Sequence, residues 1–375
     1  MKNRTNVQLS KYEVPEGVSE YHAIIRVIDS RLTYTEQVEA VLSAYTELME
    51  GELKGARAVF KRFFLSDAAN QADYLQALHS EYSDCPLSIV EQAPLDGTKI
   101  AMWVYVLKGV QTKVLSHGIG EVKHGGYRHI WMAGACNRAS DSESQTRRLF
   151  NDYMIQLQEN GCTLKDNCIR TWLYVQNVDV NYAGVVKARN EVFAAQNLTE
   201  RTHFIASTGI AGRHANPKVL VQMDAYALDG VKREQVHFLY APANMNPTYE
   251  YGVSFERGTY VDYGDRRQVF ISGTASIDNK GEIVHPGDIR KQTLRMWENV
   301  KALLEEAGCS YGHVCHLLVY LRDIADYTVV REMFEERFPT IPKVYLWAPV
   351  CRPGWLIEME CMAVKPIYNE LYPMF

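Results

Sequence analysis

From residue 357 to 361 apolar and acidic side chains alternate. Leu356, Glu358 and Glu360 fall on one face of an extended strand, and Ile357, Met359 and Cys361 fall on the other. The apolar set is expected to meet helices, so the carboxylates must face something other than the local core. Residues 268–278 read as a strand running into a turn at Asp278-Asn279-Lys280-Gly281. Residues 288–307 read as an amphipathic helix, with Leu294, Val300, Leu303 and Leu304 at helical spacing and Gly308 placed as a C-terminal cap. A second helix is expected over 327–338, stopping before Pro339.

The same pattern occurs earlier in the chain. Glu159-Asn160-Gly161-Cys162 with Cys168 recurs as Glu306-Ala307-Gly308-Cys309 with Cys315. In the same ungapped register Gln145, Thr146 and Arg148 match Gln292, Thr293 and Arg295. A worn third copy precedes these: a helix from Thr35 with Gln37 in the matching place, then a strand over 58–67. Each copy continues with a helix bearing a tyrosine (Tyr74, Tyr182, Tyr327) and closes with an apolar strand over 99–107, 219–228 or 356–364. A repeat of this length is one structural unit used three times. Glycine- and proline-bearing joints at 108–123 and 229–246 give units at 20–108, 118–229 and 250–367. The short aromatic tail after Pro366 is expected to pack on the body.

Length agrees, since 375 residues accommodate two or three domains. A net charge of −5 offers no broad basic field for nucleic acid. Residues 1–17 are polar and do not read as a signal peptide, and no run approaches the ~20 apolar residues of a membrane span. Eight cysteines without a CxxC pair read as reduced thiols of a cytoplasmic protein. Cys162, Cys168, Cys309 and Cys315 are expected to be buried and metal-free, and no cofactor is implied. Ser207-Thr208-Gly209 reads as a turn whose hydroxyls bond their own backbone.

Ser272-Gly273, Asp288 with Gln292 and Asn299-Val300-Lys301-Ala302, Glu306-Ala307-Gly308, Val319-Tyr320-Leu321-Arg322-Asp323 and the strand 357–364 together resemble the YjgF/Rid family. Residues 255–366 carry the likeness best, 120–229 look like a divergent member, and 20–108 follow by pattern. The resemblance implies an α+β fold: chorismate-mutase-like units that assemble as trimers with pockets between subunits. Three units in one chain then imply an internal pseudo-trimer that needs no further trimer partner. It also implies enamine or imine deaminase chemistry on a small carboxylated metabolite. The family's water-positioning acid falls on Glu358, its pocket glycine on Gly273 and its pocket tyrosine on Tyr260. Its carboxylate-binding arginine falls on Lys343, a point charge in place of a planar fork, and Arg352 in the following turn is a substitute.

A second resemblance is to chorismatases, through Arg170-Thr171-Trp172-Leu173-Tyr174, Ser254-Phe255-Glu256-Arg257 and Ser272-Gly273-Thr274-Ala275-Ser276. It implies that an acid near Glu358 protonates an enol ether and helps release pyruvate. Glu360 on the same face would raise the pKa of Glu358, and Arg257, Arg352 or Lys343 would hold substrate carboxylates. Three function classes remain: an imine hydrolase, a chorismatase-like enzyme, and a metabolite-binding protein without activity.

Overall fold

The computed structural model describes residues 4–80, 85–116 and 118–375. Residues 1–3 of the polar N-terminus and residue 117 of the expected joint lie outside them.

The first stretch of chain forms strands β1 (Thr5–Tyr12) and β2 (Ser19–Val27), helix α1 (Tyr34–Glu50), β3 (Arg57–Leu65), α2 (Ala68–Ser80), β4 (Leu87–Glu91), β5 (Ala93–Pro94) and β6 (Ile100–Lys108). The second forms β7 (Gln111–Ser116), β8 (Ile119–His124), β9 (Tyr127–Cys136), α3 (Ser142–Glu159), the single turn α4 (Leu164–Asn167), β10 (Cys168–Val175), α5 (Val178–Ala195), β11 (Ala206–Ala211) and β12 (Val221–Asp229). The third forms β13 (Val236–Leu239), β14 (Gly258–Asp262), β15 (Arg266–Ala275), α6 (Ile289–Glu306), β16 (Val314–Leu321), α7 (Tyr327–Arg337), β17 (Lys343–Trp347) and β18 (Ile357–Pro366). This is an α+β architecture.

Three sheets result, and one strand order recurs in them. It is β1-β2-β6-β3-β4 in the first, β8-β9-β12-β10-β11 in the second and β14-β15-β18-β16-β17 in the third. The last pair of each is parallel and the other pairs are antiparallel. Each fourth strand carries a register shift near its start, at 58/60, 168/170 and 314/316. Beyond the shift the registers correspond: Phe64↔Ala101, Tyr174↔Gln222 and Tyr320↔Glu358 occupy one position, and Arg62↔Trp103, Trp172↔Asp224 and Leu318↔Glu360 the next.

The sheets begin earlier than the sequence signals suggest. β1 pairs with β2 ahead of residue 20. The expected joint at 108–123 contains the β7–β8 hairpin, and the one at 229–246 contains β13, which pairs with β14. Their glycines mark turns within sheets, not breaks between them. β5 leaves the first sheet and pairs with β17 of the third.

The helices follow their caps. Asp288 caps α6 through a bond from the Lys291 amide, and Gly308 ends it at φ 66°. The buried stripe of α6 runs through Met296, Trp297, Val300, Leu303 and Leu304. Leu294, expected on that stripe, is exposed, because it lies out of phase with these positions. α7 ends at Arg337, just short of Pro339. Cys162, Cys168, Cys309 and Cys315 are buried thiols. The tail packs on the body through Phe375, which is 2% exposed.

Buried ion pairs tie each sheet to the next. Arg62 on β3 grips Asp224 on β12, with Nη2–Oδ2 at 2.8 Å. Arg170 on β10 meets Glu360 on β18 at 2.8 Å. Arg266 on β15 meets Glu20 on β2 at 3.3 Å. Aromatic rings fill the space among them: Phe60 lies 5.5 Å from Trp103 and 5.1 Å from Trp131 between ring centroids. The polar faces of all three sheets therefore point inward at one another.

Candidate functional site

The last strand places Ile357, Met359 and Cys361 in the apolar core and turns Glu358 and Glu360 toward the second sheet. Both carboxylates are buried. Their surroundings differ. Glu360 is fully engaged: it accepts from Arg170 Nη2 and Trp172 Nε1, each at 2.8 Å, and from the Thr208 hydroxyl. Glu358 instead lines a cavity between the second and third sheets, bounded by β11, α5, the loop before β14, β15 and the loop before β18.

Burial pushes the Glu358 carboxyl up from its ordinary 4.5 to about 8. The neighbouring Glu360 charge adds to this, while Arg170 and Arg257 oppose it. At neutral pH Glu358 is thus largely a neutral acid with a proton to give. Its carboxyl packs against Gly273, where any Cβ would collide with it. Gly209 similarly leaves room for the Tyr182 ring, which lies 2.8 Å from where a Cβ would sit.

Three guanidinium groups line the same cavity: Arg189, Arg257 and Arg352. Arg189 is 1% exposed, and its Nε and Nη2 have no hydrogen-bond partner. Arg257 is 4% exposed; its Nη2 donates to the Asn246 carbonyl at 2.9 Å, and its Nε has no partner. Arg352 lies over the rings of Tyr251 at 4.6 Å and Trp355 at 5.1 Å. Buried donors without partners are costly, and these guanidiniums line one space with a neutral acid at its wall. Cys351 also lines it, its thiol pushed up to about 12 by burial and by Glu358. The inner chamber holds about 40 Å³ and shares Tyr182, Tyr251, Val253, Cys351 and Arg352 with an outer basin of about 550 Å³.

The structure brings together Glu358, Gly273, Arg257 and Arg352. It does not bring Lys343 or Tyr260 there. The Lys343 ammonium is buried and donates to the carbonyls of Phe338 at 2.7 Å and Ile341 at 3.2 Å, so its charge closes the turn before β17. Tyr260, on β14, packs its ring 4.0 Å from the Arg267 guanidinium and stacks on His237 at 4.5 Å. Glu360 stands beside the cavity and acts on Glu358 through charge. Ser207-Thr208-Gly209 is not a turn but the middle of β11, paired in parallel with β10. Thr208 spends its hydroxyl on Glu360 and accepts from the Gly273 amide at 2.8 Å. Sequence reasoning missed Arg189 on α5. Its signal was a charged residue on the buried stripe with Val185, Ala188 and Val192.

Among known proteins, the Endoribonuclease L-PSP family matches residues 255–365. A RutC family protein of Pyrococcus abyssi is 42% identical over 100 residues, covering 26% of this chain and 78% of its own. The 3-aminoacrylate deaminase RutC of Acinetobacter baylyi is 34% identical over 97 residues, covering 25% of this chain and 77% of its own. A chorismatase crystal structure superposes with a TM-score of 0.65 at 19% identity, covering 82% of this chain and 93% of the other.

Proposed function

The chain belongs to the YjgF/Rid family, and from that premise we propose that it is a pseudo-trimer of three such units with one working pocket, where an enol-ether dicarboxylate of the chorismate type is hydrolysed to pyruvate and an alcohol. The observation that carries this reading is the pairing of a buried acid raised to about 8 with two buried guanidiniums that have unpartnered N–H groups. Such donors suit carboxylates, and two separate forks suit a substrate with two of them. Only the third unit's last strand supplies a carboxylate at this position; the first and second place Ala101 and Gln222 there. The recurring strand order, the matched registers and the three inter-sheet ion pairs support the pseudo-threefold plan.

The chemistry follows from the charges. Arg189 and Arg257 hold the substrate carboxylates once Arg352, which stands between the small inner chamber and the outer basin, moves aside to join the two spaces. Glu358 donates its proton to the terminal methylene carbon of the enol ether. A water adds to the resulting oxocarbenium carbon and gives its proton to the Glu358 carboxylate. The hemiketal hydroxyl then gives up its proton to the ring oxygen as the bond from the former enol carbon to that oxygen breaks, releasing pyruvate and the ring alcohol with Glu358 again protonated. An acid with pKa near the working pH is suited to this donor role.

A second reading keeps the same acid for imine hydrolysis. It is favoured by the 34% identity over 97 residues to the Acinetobacter deaminase. In that case Glu358 orients the water, and one guanidinium suffices for a monocarboxylate.

The two are separated by titrating the protein with chorismate and with 2-aminoacrylate generated in situ, reading pyruvate and ammonia. Pyruvate from chorismate is expected. Arg189→Gln and Arg257→Gln should each weaken chorismate binding by about tenfold or more, the loss of a charge-assisted hydrogen bond. Ammonia release with no action on chorismate would transfer the site to the imine reading.

A further inference from the structure

The register that places Glu358 at the pocket between the second and third sheets places Gln222 at the corresponding spot between the first and second. A larger cavity lies there, about 760 Å³, between β4 on one side and β8, β9, β12 and α3 on the other. Gly134 stands where Gly273 stands in the other pocket, one residue before the strand pairing resumes. The wall chemistry is different. Met132, Leu149 and Tyr153 make an apolar floor, each at most 3% exposed. No lysine or arginine lines the cavity among the described residues. His214 is held neutral by burial, and its Nδ1 accepts from the Asn216 amide at 2.9 Å. Asp152 sits at the wall, paired to Arg148 at 3.6 Å on an exposed helix face.

The polar groups left over are acceptors. Gln222 Nε2 donates to the Ile89 carbonyl at 3.1 Å, which fixes the amide and turns Oε1 away from that bond. That Oε1 is buried and has no partner, and the buried Oε1 of Gln156 has none either. Both residues line the cavity. A buried acceptor without a donor costs free energy that a bound O–H or N–H would recover. The volume is that of a metabolite pocket.

We propose that this cavity is a second, non-catalytic ligand site for a neutral molecule with an apolar body and a hydroxyl or amide donor, held by Gln222. Carboxylates are disfavoured because no lysine or arginine among the described residues faces them and burying an unpaired charge is costly. The amide cannot serve as a proton donor of Glu358's kind, so the site binds and does not turn over. The proposal stands independently of the chemistry assigned to Glu358.

Benzyl alcohol and benzoate, matched in size, are the probes. Binding is read by saturation-transfer NMR and by soaking crystals of the full chain. Benzyl alcohol should bind with its oxygen in hydrogen-bond contact with Gln222, and benzoate at least about tenfold more weakly. Gln222→Leu should weaken benzyl alcohol by about tenfold and leave turnover at the Glu358 pocket unchanged. Met132→Trp should fill the cavity and abolish binding. Leu149→Trp blocks the same space from a helix and serves if the strand variant fails to fold. Failure of benzyl alcohol to bind at millimolar concentration, binding of benzoate as tight as the alcohol, or binding indifferent to both the glutamine and the blocking variant would overturn the proposal.

Discussion

Glu358 and Glu360 sit two residues apart on one strand face, yet their environments give them opposite tasks. Arg170, Trp172 and Thr208 all donate to Glu360. Glu358 has burial and the Glu360 charge against it, and rises to about 8. The folded protein therefore holds a proton on Glu358 that the unfolded chain gives up near 4.5. Its contribution to stability is intact below that value and is lost as pH rises through about 8. Glu358→Gln should accordingly raise the melting temperature more at pH 8.5 than at pH 4.5; equal shifts at both would contradict a raised carboxyl. Strand alternation in the sequence was enough to place both acids on the inward face. The coupling that raises Glu358 was expected from Glu360 on the same face, but the partners that engage Glu360, Arg170 and Trp172, come from a distant stretch of chain and were not legible. Lys343 shows the same limit from the other side. Its position in the family pattern implied a clamp, but its ammonium reaches the carbonyls of its own turn first.

At the scale of elements, the helices and closing strands were readable because their periodicity and caps are local. The ends of the sheets were not. β7 and β13 are short edge strands in glycine-rich or polar stretches, and only pairing partners make them strands. β11 was hidden similarly: Ser207-Thr208-Gly209 has turn composition, but it lies between two sheets that supply its partners. The joins between sheets rest on buried charge pairs, and these make a strong stability prediction. Arg62→Leu would leave Asp224 buried without its guanidinium, and should cost about 3–5 kcal/mol in urea unfolding at pH 7. Replacing both Arg62 and Asp224 with leucine should recover much of that loss. A single variant as stable as the parent would mean that the pair contributes little to the join.

At the scale of the molecule, three sheets turn polar faces inward and each pair of sheets shares an ion pair. On the proposed three-unit plan, each sheet covers the inward face of the next within a single chain. Light scattering should give a mass built on 42.8 kDa particles that do not depend on a threefold assembly; a protein that unfolds whenever a trimer dissociates would contradict this. The same proposed plan leaves the three matching positions of the closing strands free to differ. Ala101, Gln222 and Glu358 now occupy equivalent places, so one chain can hold one acid-bearing pocket beside others of different chemistry. The recurring strand order matches the repeat read in the sequence, and of the pocket cations Arg257 and Arg352 were named there while Arg189, on α5, was not.

The central claim is that Glu358 gives a proton to an enol-ether dicarboxylate. The most direct test is pyruvate release from chorismate as a function of pH, for the parent and Glu358→Gln. The account predicts release whose kcat/KM falls as pH rises through about 8, as the acid ionises. It predicts a loss of roughly 10²–10⁴-fold in the variant, with chorismate binding retained. No pyruvate from the parent, or parent-like turnover by Glu358→Gln, would contradict it.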